Sequence, residues 1–166
     1  MSSESSHMTT EKSAPHEGQS VFPLPDEPVG VVVGVDLLAR GRLQRGYARL
    51  GERLLRRLFT PRELAEAKNQ VERLEGRFAA KEACAKALGV GIGGAASWQD
   101  IEIVRLPSGK PALSLRGAAA ARAQALGLTA FDVSISDTRE LVMAVVVGVR
   151  EPTASHASAA MLQQPG

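Results

Sequence analysis

The chain has 166 residues, of which 44% are hydrophobic, so it holds enough apolar material for one modest core and too little for a second full domain. It contains no run near the roughly 18 apolar residues of a membrane span, no charged-then-apolar secretion signal, and only one cysteine, Cys84, which excludes an internal disulfide. We therefore expect a single-domain cytoplasmic protein that does not bind a membrane.

The two ends differ from the middle in composition. Residues 1–28 and 151–166 are rich in Ser, Thr, Pro and Glu and have no sustained apolar period, which predicts disorder. These ends carry one lysine and six acidic residues, so the net charge of +2 for the whole chain leaves +7 on residues 29–150. The predicted domain, residues 29–150, is therefore basic, which favours an acidic partner.

All three histidines, His7, His16 and His156, lie in the two ends. Their absence from the middle excludes a Ser/His/Asp triad, a Cys/His pair and a histidine zinc site in the predicted domain. Chemistry there must use carboxylates, lysines, hydroxyls or a hard metal ion.

The first predicted elements are a strand and a helix. VGVVVGVDL, residues 29–37, is a continuous apolar run, which predicts a buried strand with Asp36 at its C-terminal end. Residues 39–58 show two faces with helical spacing, which predicts one amphipathic helix. Its apolar face contains Leu43, Tyr47, Leu50, Leu54 and Leu58, and its basic face contains Arg42, Arg45, Arg49, Arg53 and Arg56.

The arginine stripe has several interpretations. A charged helix face is often merely solvated, but five arginines with Glu52 as the only acid between them favour a docking surface equally well. An acidic protein, a nucleic acid or an anionic lipid would each match the charge. Since Trp98 and Tyr47 are the only Trp and Tyr, base-stacking platforms are scarce, which disfavours nucleic acid.

A second helical region begins with a capping pattern. Thr60, Pro61 and Glu63 have the order of an N-cap, a first-turn proline and the third residue of a capping box. We expect helix from there to residue 88, with Gly76 as the candidate break and Gly89 as the stop.

The remaining residues predict short strands and one more helix. Strands DIEIVRL and ALSLR flank an SGKP turn, the helix AAAARAQALGL ends at Gly127, and strands FDVSIS and LVMAVVVGV are joined by DTRE. GVGIGG follows a helix instead of opening one, so we interpret it as a connector and not as a phosphate loop. Gly109 and Lys110 precede Pro111 without Walker spacing, which predicts a hairpin turn. The fold class is α+β, with a largely antiparallel sheet packed against helices.

The stretch RFAAKEACAKALG, residues 77–89, carries the candidate chemistry. On a helical wheel Glu82 and Lys86 fall broadly opposite Cys84 and Leu88. One account is an ordinary i,i+4 ion pair worth roughly 0.2–0.5 kcal/mol. The other is that Glu82 and Asp36 hold a hard cation such as Mg²⁺, with Lys86 one turn away to meet phosphate.

Several of these motifs together carry a family resemblance. GVDLLAR (34–40), RFAAKEACAKALGVGIG (77–93), WQDIEI, GKP and VSIS, in that order, resemble the holo-acyl carrier protein synthases, which are bacterial-type 4′-phosphopantetheinyl transferases. The resemblance runs from about residue 31 to residue 149. It implies Mg²⁺-dependent transfer of the phosphopantetheine arm of coenzyme A to a serine of apo acyl carrier protein, with release of adenosine 3′,5′-bisphosphate, in fatty acid or polyketide biosynthesis. It also implies a homotrimer with active sites between neighbouring subunits.

Matching motif positions implies roles for individual residues. Asp36 and Glu82 would bind Mg²⁺ and Lys86 would contact the coenzyme A pyrophosphate, which makes Glu82 and Lys86 the implied catalytic residues. The other residues implied to bind coenzyme A are Gly109, Lys110, Pro111, Ser136 and Asp137. The residues implied to dock the acidic carrier protein are Arg42, which matches best, Arg45, Arg49 and Arg53.

Some assignments stay open at this point. Many family members carry a histidine where this chain has Asp137, so that contact does not transfer; Ser136 and Asp137 either line the coenzyme A site or form a β-turn. The acceptor of the serine proton is Glu82 or a water at the metal. Rival functions are a non-catalytic basic module that binds carrier proteins or nucleic acid, and a pyrophosphatase that hydrolyses coenzyme A.

Overall fold

The structure is a computed structural model, and it describes residues 30–68, 70–92 and 96–150. The ends predicted to be disordered, residues 1–28 and 151–166, lie outside the described residues, as does part of the glycine-rich connector, residues 93–95.

The helices and strands follow one another in this order. The first half contains strand β1 (Val31–Ala39), helices α1 (Arg42–Leu50), α2 (Glu52–Leu58) and α3 (Pro61–Glu66), a 3₁₀ turn (Val71–Leu74) and helix α4 (Glu75–Leu88). The second half contains a 3₁₀ turn (Trp98–Asp100), strands β2 (Ile101–Arg105) and β3 (Pro111–Leu115), helix α5 (Gly117–Ala125), and strands β4 (Leu128–Asp137) and β5 (Leu141–Arg150).

The strands form two antiparallel sheets. One has three strands in the order β1-β5-β4, and the other is the hairpin β2-β3. Helix α4 packs on one face of the three-stranded sheet, where its alanines meet Leu38, Val142, Ala144 and Val146. The predicted α+β class with antiparallel pairing is confirmed.

Helix α4 approaches the backbone of β1 unusually closely. A Cβ atom added at Gly34 would lie 1.9 Å from the carbonyl oxygen of Ala83 and 2.6 Å from the amide nitrogen of Ala87. Ala80 and Cys84, on the same helix, are fully buried. The small residues of RFAAKEACAKAL therefore allow close helix–strand contact, because larger side chains would separate the two elements.

The other face of the three-stranded sheet is exposed, so the prediction that residues 29–37 form a buried strand was only half right. Side chains alternate between the faces of a strand, and α4 covers only one face. The large apolar side chains on the open face are between 40% and 57% exposed: Val31, Val33, Val35, Leu37, Leu141, Met143 and Val149.

The single helix predicted for residues 39–58 was wrong. Strand β1 continues to Ala39, and Gly51 separates α1 from α2 with φ 60° and ψ −155°, a conformation that favours glycine. Leu50, the last residue of α1, is 61% exposed, whereas Leu55 on α2 is 1% exposed. Beneath α1 and α2 lies a second core of Leu43, Leu55, Leu58, Phe59, Ala67, Val71 and Leu74.

The helical region predicted from Thr60 to residue 88 is broken near Gly76, as expected, but the break precedes the glycine, since α4 begins at Glu75. Helix α3 ends at Glu66, whereas Gly76 lies inside α4, where an added Cβ would come within 3.0 Å of the Ile135 side chain. Gly76 therefore lets α4 approach β4. The predicted capping box is confirmed, because the Thr60 side chain accepts from the Glu63 amide and the Glu63 side chain accepts from the Thr60 amide.

The predicted stops and turns are confirmed. Gly89 and Gly127 follow α4 and α5 with φ of 64° and 68°, and the hairpin turn has φ 86° at Gly109. Within the described ranges, no helix has the length and apolar character that crossing a membrane would need.

Candidate active site

The two predicted carboxylates lie on neighbouring elements. Asp36 is on the α4-facing side of β1 and is 9% exposed, and Glu82 lies near the middle of α4 and is partly exposed. The contact between Gly34 and Ala83, two residues before Asp36 and one after Glu82, fixes the distance between these elements. The close packing that the alanines permit thus brings the carboxylates together.

Lys86 contacts the first of these carboxylates. Its Nζ donates to Oδ1 of Asp36 at 2.8 Å and to the carbonyl oxygen of Val35 at 3.0 Å. Among the described residues, Lys86 forms its ion pair with Asp36 and not with Glu82. An ordinary i,i+4 ion pair therefore does not explain why Glu82 and Lys86 stand among the alanines of α4.

The pair of carboxylates is electrostatically unsatisfied. Oδ2 of Asp36 is buried and has no hydrogen-bond partner in the part of the chain that the structure describes. Burial and, after it, the negative charge of Asp36 raise the pKa of Glu82, while Lys86 and Arg42 act in the opposite direction. A buried oxygen without a partner beside a second carboxylate is suited to a cation.

The residues present fit a hard divalent ion such as Mg²⁺. Mg²⁺ is usually held by one or two carboxylates together with waters and substrate phosphates. Asp36 and Glu82 supply that number, and the described ranges hold no cluster of three or more His, Cys, Asp or Glu side chains that would enclose a metal completely.

The other predicted coenzyme A residues lie at a different place in the chain. Gly109, Pro111 and Asp137 line a groove of about 890 Å³ that also contains Arg40. Asp137 pairs with Arg40. Other charged side chains of this groove are Glu66, Glu72, Arg73, Arg77 and Arg105.

The groove and the carboxylate pair are separate within one chain. Among the described residues that line the groove, Asp36, Glu82 and Lys86 are absent. The predicted site residues therefore fall into two sets, the carboxylate pair with Lys86 and the residues of the groove.

Two further predicted residues lie outside the groove lining. Lys110 is exposed and pairs with Asp132 at 2.9 Å, and Ser136 is exposed on β4. Ser136 and Asp137 both belong to β4 and the turn comes after them, where the Thr138 amide donates to the carbonyl oxygen of Leu141 at 2.8 Å. The interpretation of these two residues as a β-turn was therefore wrong.

The predicted docking arginines are exposed and lie on two helices. Arg42, Arg45 and Arg49 are on α1, and Arg53 is on α2 beyond the Gly51 break. No ion pair holds any of the four within the described residues. They form what we call the arginine surface: Arg42, Arg45, Arg49 and Arg53.

An apolar cavity of about 300 Å³ borders this surface at Arg42. Phe78 and Trp98, which stack with ring centroids 5.0 Å apart, line it together with Leu43, Gly46, Leu54, Arg57 and Leu58. The arginine surface thus combines free positive charge with an apolar recess.

Sequence reasoning missed a buried ion pair beside Glu82. Lys81 Nζ lies 2.7 Å from Oε2 of Glu63, and both side chains are 0% exposed. Lys81 is three residues before Cys84 and seven before Leu88, which places it on the apolar side of the wheel. A lysine in that position was the signal that could have revealed the pair.

The chain matches a known protein family over most of its described length. The family model described as the 4′-phosphopantetheinyl transferase superfamily matches residues 32–146. The chain is 44% identical over 119 residues to the holo-acyl-carrier-protein synthase of Nitratidesulfovibrio vulgaris. This alignment covers 70% of this chain and 96% of that protein. It is 47% identical over 124 residues to the enzyme of the same name from a Methylobacterium species, with coverage of 70% and 92%.

Solved structures give the same result. The holo-acyl-carrier-protein synthase from Neisseria meningitidis superposes with a TM-score of 0.66 at 35% identity, covering 72% of this chain and 98% of that one. The enzyme of the same name from Helicobacter pylori, solved in complex with coenzyme A, superposes with a TM-score of 0.63 at 32% identity, covering 70% and 98%.

Proposed function

The chain belongs to the 4′-phosphopantetheinyl transferase superfamily and within it to the holo-acyl-carrier-protein synthases, and we propose that it uses Mg²⁺ to modify an apo acyl carrier protein with the phosphopantetheine of coenzyme A. The released product is adenosine 3′,5′-bisphosphate, and the modified carrier serves fatty acid or polyketide synthesis in the cytoplasm. The observation that carries this proposal is the carboxylate pair Asp36 and Glu82, with Lys86 beside it.

Asp36 and Glu82 would hold the Mg²⁺. The partnerless Oδ2 of Asp36 and the raised pKa of Glu82 are both relieved by a positive charge placed between them. When bound there, Mg²⁺ stabilises the negative charge that develops on the pyrophosphate oxygens during phosphoryl transfer.

Lys86 would bind the pyrophosphate of coenzyme A. Its side chain is 52% exposed and, in the described part of the chain, is held by Asp36 and one carbonyl oxygen, so the ammonium group can turn towards a phosphate. An ammonium at that position stabilises the charge on the bridging oxygen as its bond to the β-phosphorus breaks.

The serine proton needs an acceptor as the serine oxygen attacks the β-phosphorus. With no histidine among residues 29–150, Glu82 or a water beside it is the candidate.

The groove lined by Gly109, Pro111 and Asp137 would receive the nucleotide part of coenzyme A, with Lys110 and Ser136 at its edge. Its arginines offer the charge that phosphates require, and its volume of about 890 Å³ lies within the range of ligand sites. Asp137 would act there through Arg40, its ion-pair partner.

A homotrimer would unite the two sets of site residues. The exposed apolar face of the three-stranded sheet is a surface that monomeric proteins rarely leave open. If neighbouring subunits covered it, the groove of one subunit could meet the carboxylate pair of the next.

The arginine surface would dock the acidic carrier protein. Its charges are free to pair with an acidic helix, and the cavity beside Arg42 can accept one apolar side chain of that partner.

The test follows the release of adenosine 3′,5′-bisphosphate from coenzyme A, with and without an apo acyl carrier protein. The transferase predicts release only when the acceptor is present, and loss of release in Glu82→Ala. In Arg42→Glu we expect mainly a raised KM for the carrier protein. Release without acceptor would instead indicate a pyrophosphatase. Carrier binding by the wild-type protein without any release, unchanged in Glu82→Ala and lost in Arg42→Glu, would indicate a non-catalytic module.

A further inference from the structure

Lys81 and Glu63 form a fully buried ion pair, which we call the clamp. The three polar contacts of Lys81 Nζ are to Oε2 of Glu63 at 2.7 Å, to the carbonyl oxygen of Ile101 at 2.6 Å and to that of Trp98 at 3.0 Å. Since an ammonium group has three donors, Lys81 is fully satisfied. The same Nζ also lies 5.4 Å from the centre of the Phe59 ring.

Glu63 is satisfied as completely as Lys81. Its Oε1 accepts from the Ile103 amide at 3.1 Å, and its Oε2 accepts from the Thr60 amide at 2.9 Å as well as from Lys81. The clamp therefore joins α4 to the start of α3 and to β2 and the turn before it. These elements lie outside the three-stranded sheet.

The clamp is a poor device for stability alone. Taking both charges out of water is costly, and apolar side chains of similar size often stabilise a protein as well or better. Burial lowers the pKa of Lys81 despite the opposing charge of Glu63, which is the direction that this cost predicts. The geometric precision of a charged, fully hydrogen-bonded pair is what an apolar replacement would lack.

The clamp lies directly beside Glu82 along α4. Lys81 immediately precedes Glu82, and Ala83 immediately follows it with its carbonyl oxygen against Gly34. Glu82 is thus held from both sides, by backbone contact with β1 and by the clamp. Side chains extend about 5–6 Å from a helix axis, so a rotation of about 10° would move the Glu82 carboxylate by about 1 Å.

We propose that Lys81 and Glu63 are positioning residues that fix the rotation of α4 and so aim the Glu82 carboxylate at the ion shared with Asp36. This inference rests on the proposed function for its catalytic consequence. A displacement of about 1 Å in a reacting geometry can lower a rate by about 100-fold.

The test uses the double variant Lys81→Met with Glu63→Gln, which removes both charges at similar volume and avoids leaving one buried charge unpaired. Binding of Mn²⁺, a probe for carboxylate sites, is measured by titration with electron paramagnetic resonance. We expect a folded protein whose Mn²⁺ dissociation constant rises roughly 10- to 100-fold, as for other changes behind a metal ligand. We expect kcat to fall by about 100-fold while the KM for carrier protein stays within about threefold.

Two further variants separate alignment from stability. Leu55→Ala removes buried side-chain volume in the second core and lowers the melting temperature, but it removes none of the hydrogen-bonding or charged groups of the clamp, so its Mn²⁺ affinity should stay at the wild-type value. Glu63→Asp keeps both charges but moves the anchor by one methylene. It should weaken Mn²⁺ binding even if the double variant does not fold.

The outcomes distinguish the inference from the function on which it rests. A folded double variant with wild-type Mn²⁺ affinity and wild-type kcat would overturn the positioning role, as would a wild-type protein that binds no Mn²⁺. A wild-type protein that binds Mn²⁺ but modifies no apo carrier protein would overturn the proposed function alone. The Mn²⁺ dissociation constants of wild type and the double variant would then still show whether the clamp positions Glu82.

Discussion

At the scale of single residues, Asp36 and Glu82 are two like charges that the fold holds close together and partly out of water. Such an arrangement is unfavourable for the empty protein and useful once a cation is present. Their chemistry can therefore be tested separately through stability and through metal binding.

Glu82→Gln should stabilise the metal-free protein at neutral pH while abolishing transfer. Because the pKa of Glu82 is raised by burial and by Asp36, the folded state holds this proton more tightly than the unfolded chain does. The ionised carboxylate therefore lowers stability at any pH above the unfolded pKa, and fully above the raised folded pKa. In EDTA, the variant should melt above wild type at about pH 7.5, and the difference should vanish near pH 4.

The matched control is Glu140→Gln, which removes an exposed carboxylate in the β4–β5 turn. Its melting temperature should follow wild type at both pH values. If Glu82→Gln melted below wild type at neutral pH in EDTA, the strain assigned to the carboxylate pair would be wrong.

Lys86→Met should tighten Mn²⁺ binding in the absence of coenzyme A, although it lowers kcat. The lysine occupies Oδ1 of Asp36 at 2.8 Å, so an incoming cation must compete with it. A gain of about two- to fivefold in affinity is expected from losing a solvent-screened ion pair. Arg42 lies near Glu82 but forms no ion pair within the described residues. The smaller change in Mn²⁺ affinity expected for Arg42→Gln therefore measures the effect of a nearby charge without a direct contact. Unchanged or weaker Mn²⁺ binding in Lys86→Met would contradict this competition.

The sequence indicated candidate site residues but not the contacts between them. A strand end, a helical wheel and the family resemblance all pointed to Asp36, Glu82 and Lys86. Local spacing suggested a Glu82–Lys86 pair, whereas Lys86 binds Asp36, fifty residues away in sequence. That contact depends on how β1 lies against α4, which no local pattern specifies. The ion pair between Arg40 and Asp137, which are 97 residues apart in sequence, is a further example.

At the scale of elements, the contact of α4 with β1 controls the site. We predict that Gly34→Ala will destabilise the fold by about 1–3 kcal/mol, the usual range for overpacking, because its Cβ would collide with backbone atoms that cannot rotate away. The kcat for transfer should fall by more than the loss of folded protein explains, because β1 and α4 carry Asp36 and Glu82. Denaturant unfolding and kcat, measured on the same preparations, provide the check.

Gly30→Ala is the comparison at the start of the same strand. Among the residues that the structure describes, an added Cβ there meets only the Arg150 carbonyl oxygen, at 3.9 Å, which is an ordinary contact. The free energy of unfolding and the kcat of this variant should match those of wild type. Equal behaviour of the two glycine variants would show that close approach at Gly34 is not what aligns the site.

Element boundaries show where sequence patterns fail. Regular leucine and arginine spacing continued across Gly51, so the pattern predicted one helix, yet a positive φ there ends α1. The break expected near Gly76 is present, but it lies between Glu66 and Glu75, and Gly76 itself is in the first turn of α4, where it allows contact with Ile135. The sequence therefore located the interruption to within a few residues but not the packing role of the glycine.

At the scale of the whole molecule, the open face of the three-stranded sheet is the largest departure from the predicted fold. Strand β1 was expected to be buried, and its outer side chains are exposed in the single chain. A trimer would reconcile the apolar sequence with that exposure and would also bring the two sets of site residues together.

Val33→Glu tests this assembly. Val33 is 57% exposed, so a glutamate there should leave the isolated fold intact but place charge in the covered interface. We expect wild type to elute as a trimer in gel filtration with light scattering, and the variant to elute as a folded monomer with little transfer activity. Full activity in a wild-type protein that stays monomeric at the assay concentration would contradict the shared site.

The most direct test of the central claim is the intact mass of an apo acyl carrier protein after incubation with this protein, coenzyme A and Mg²⁺. The carboxylate-pair account predicts a gain of one phosphopantetheine arm, which is absent in a parallel sample with EDTA and in one with Glu82→Gln. An unchanged carrier mass across several apo carrier proteins, or an undiminished gain with Glu82→Gln, would contradict it.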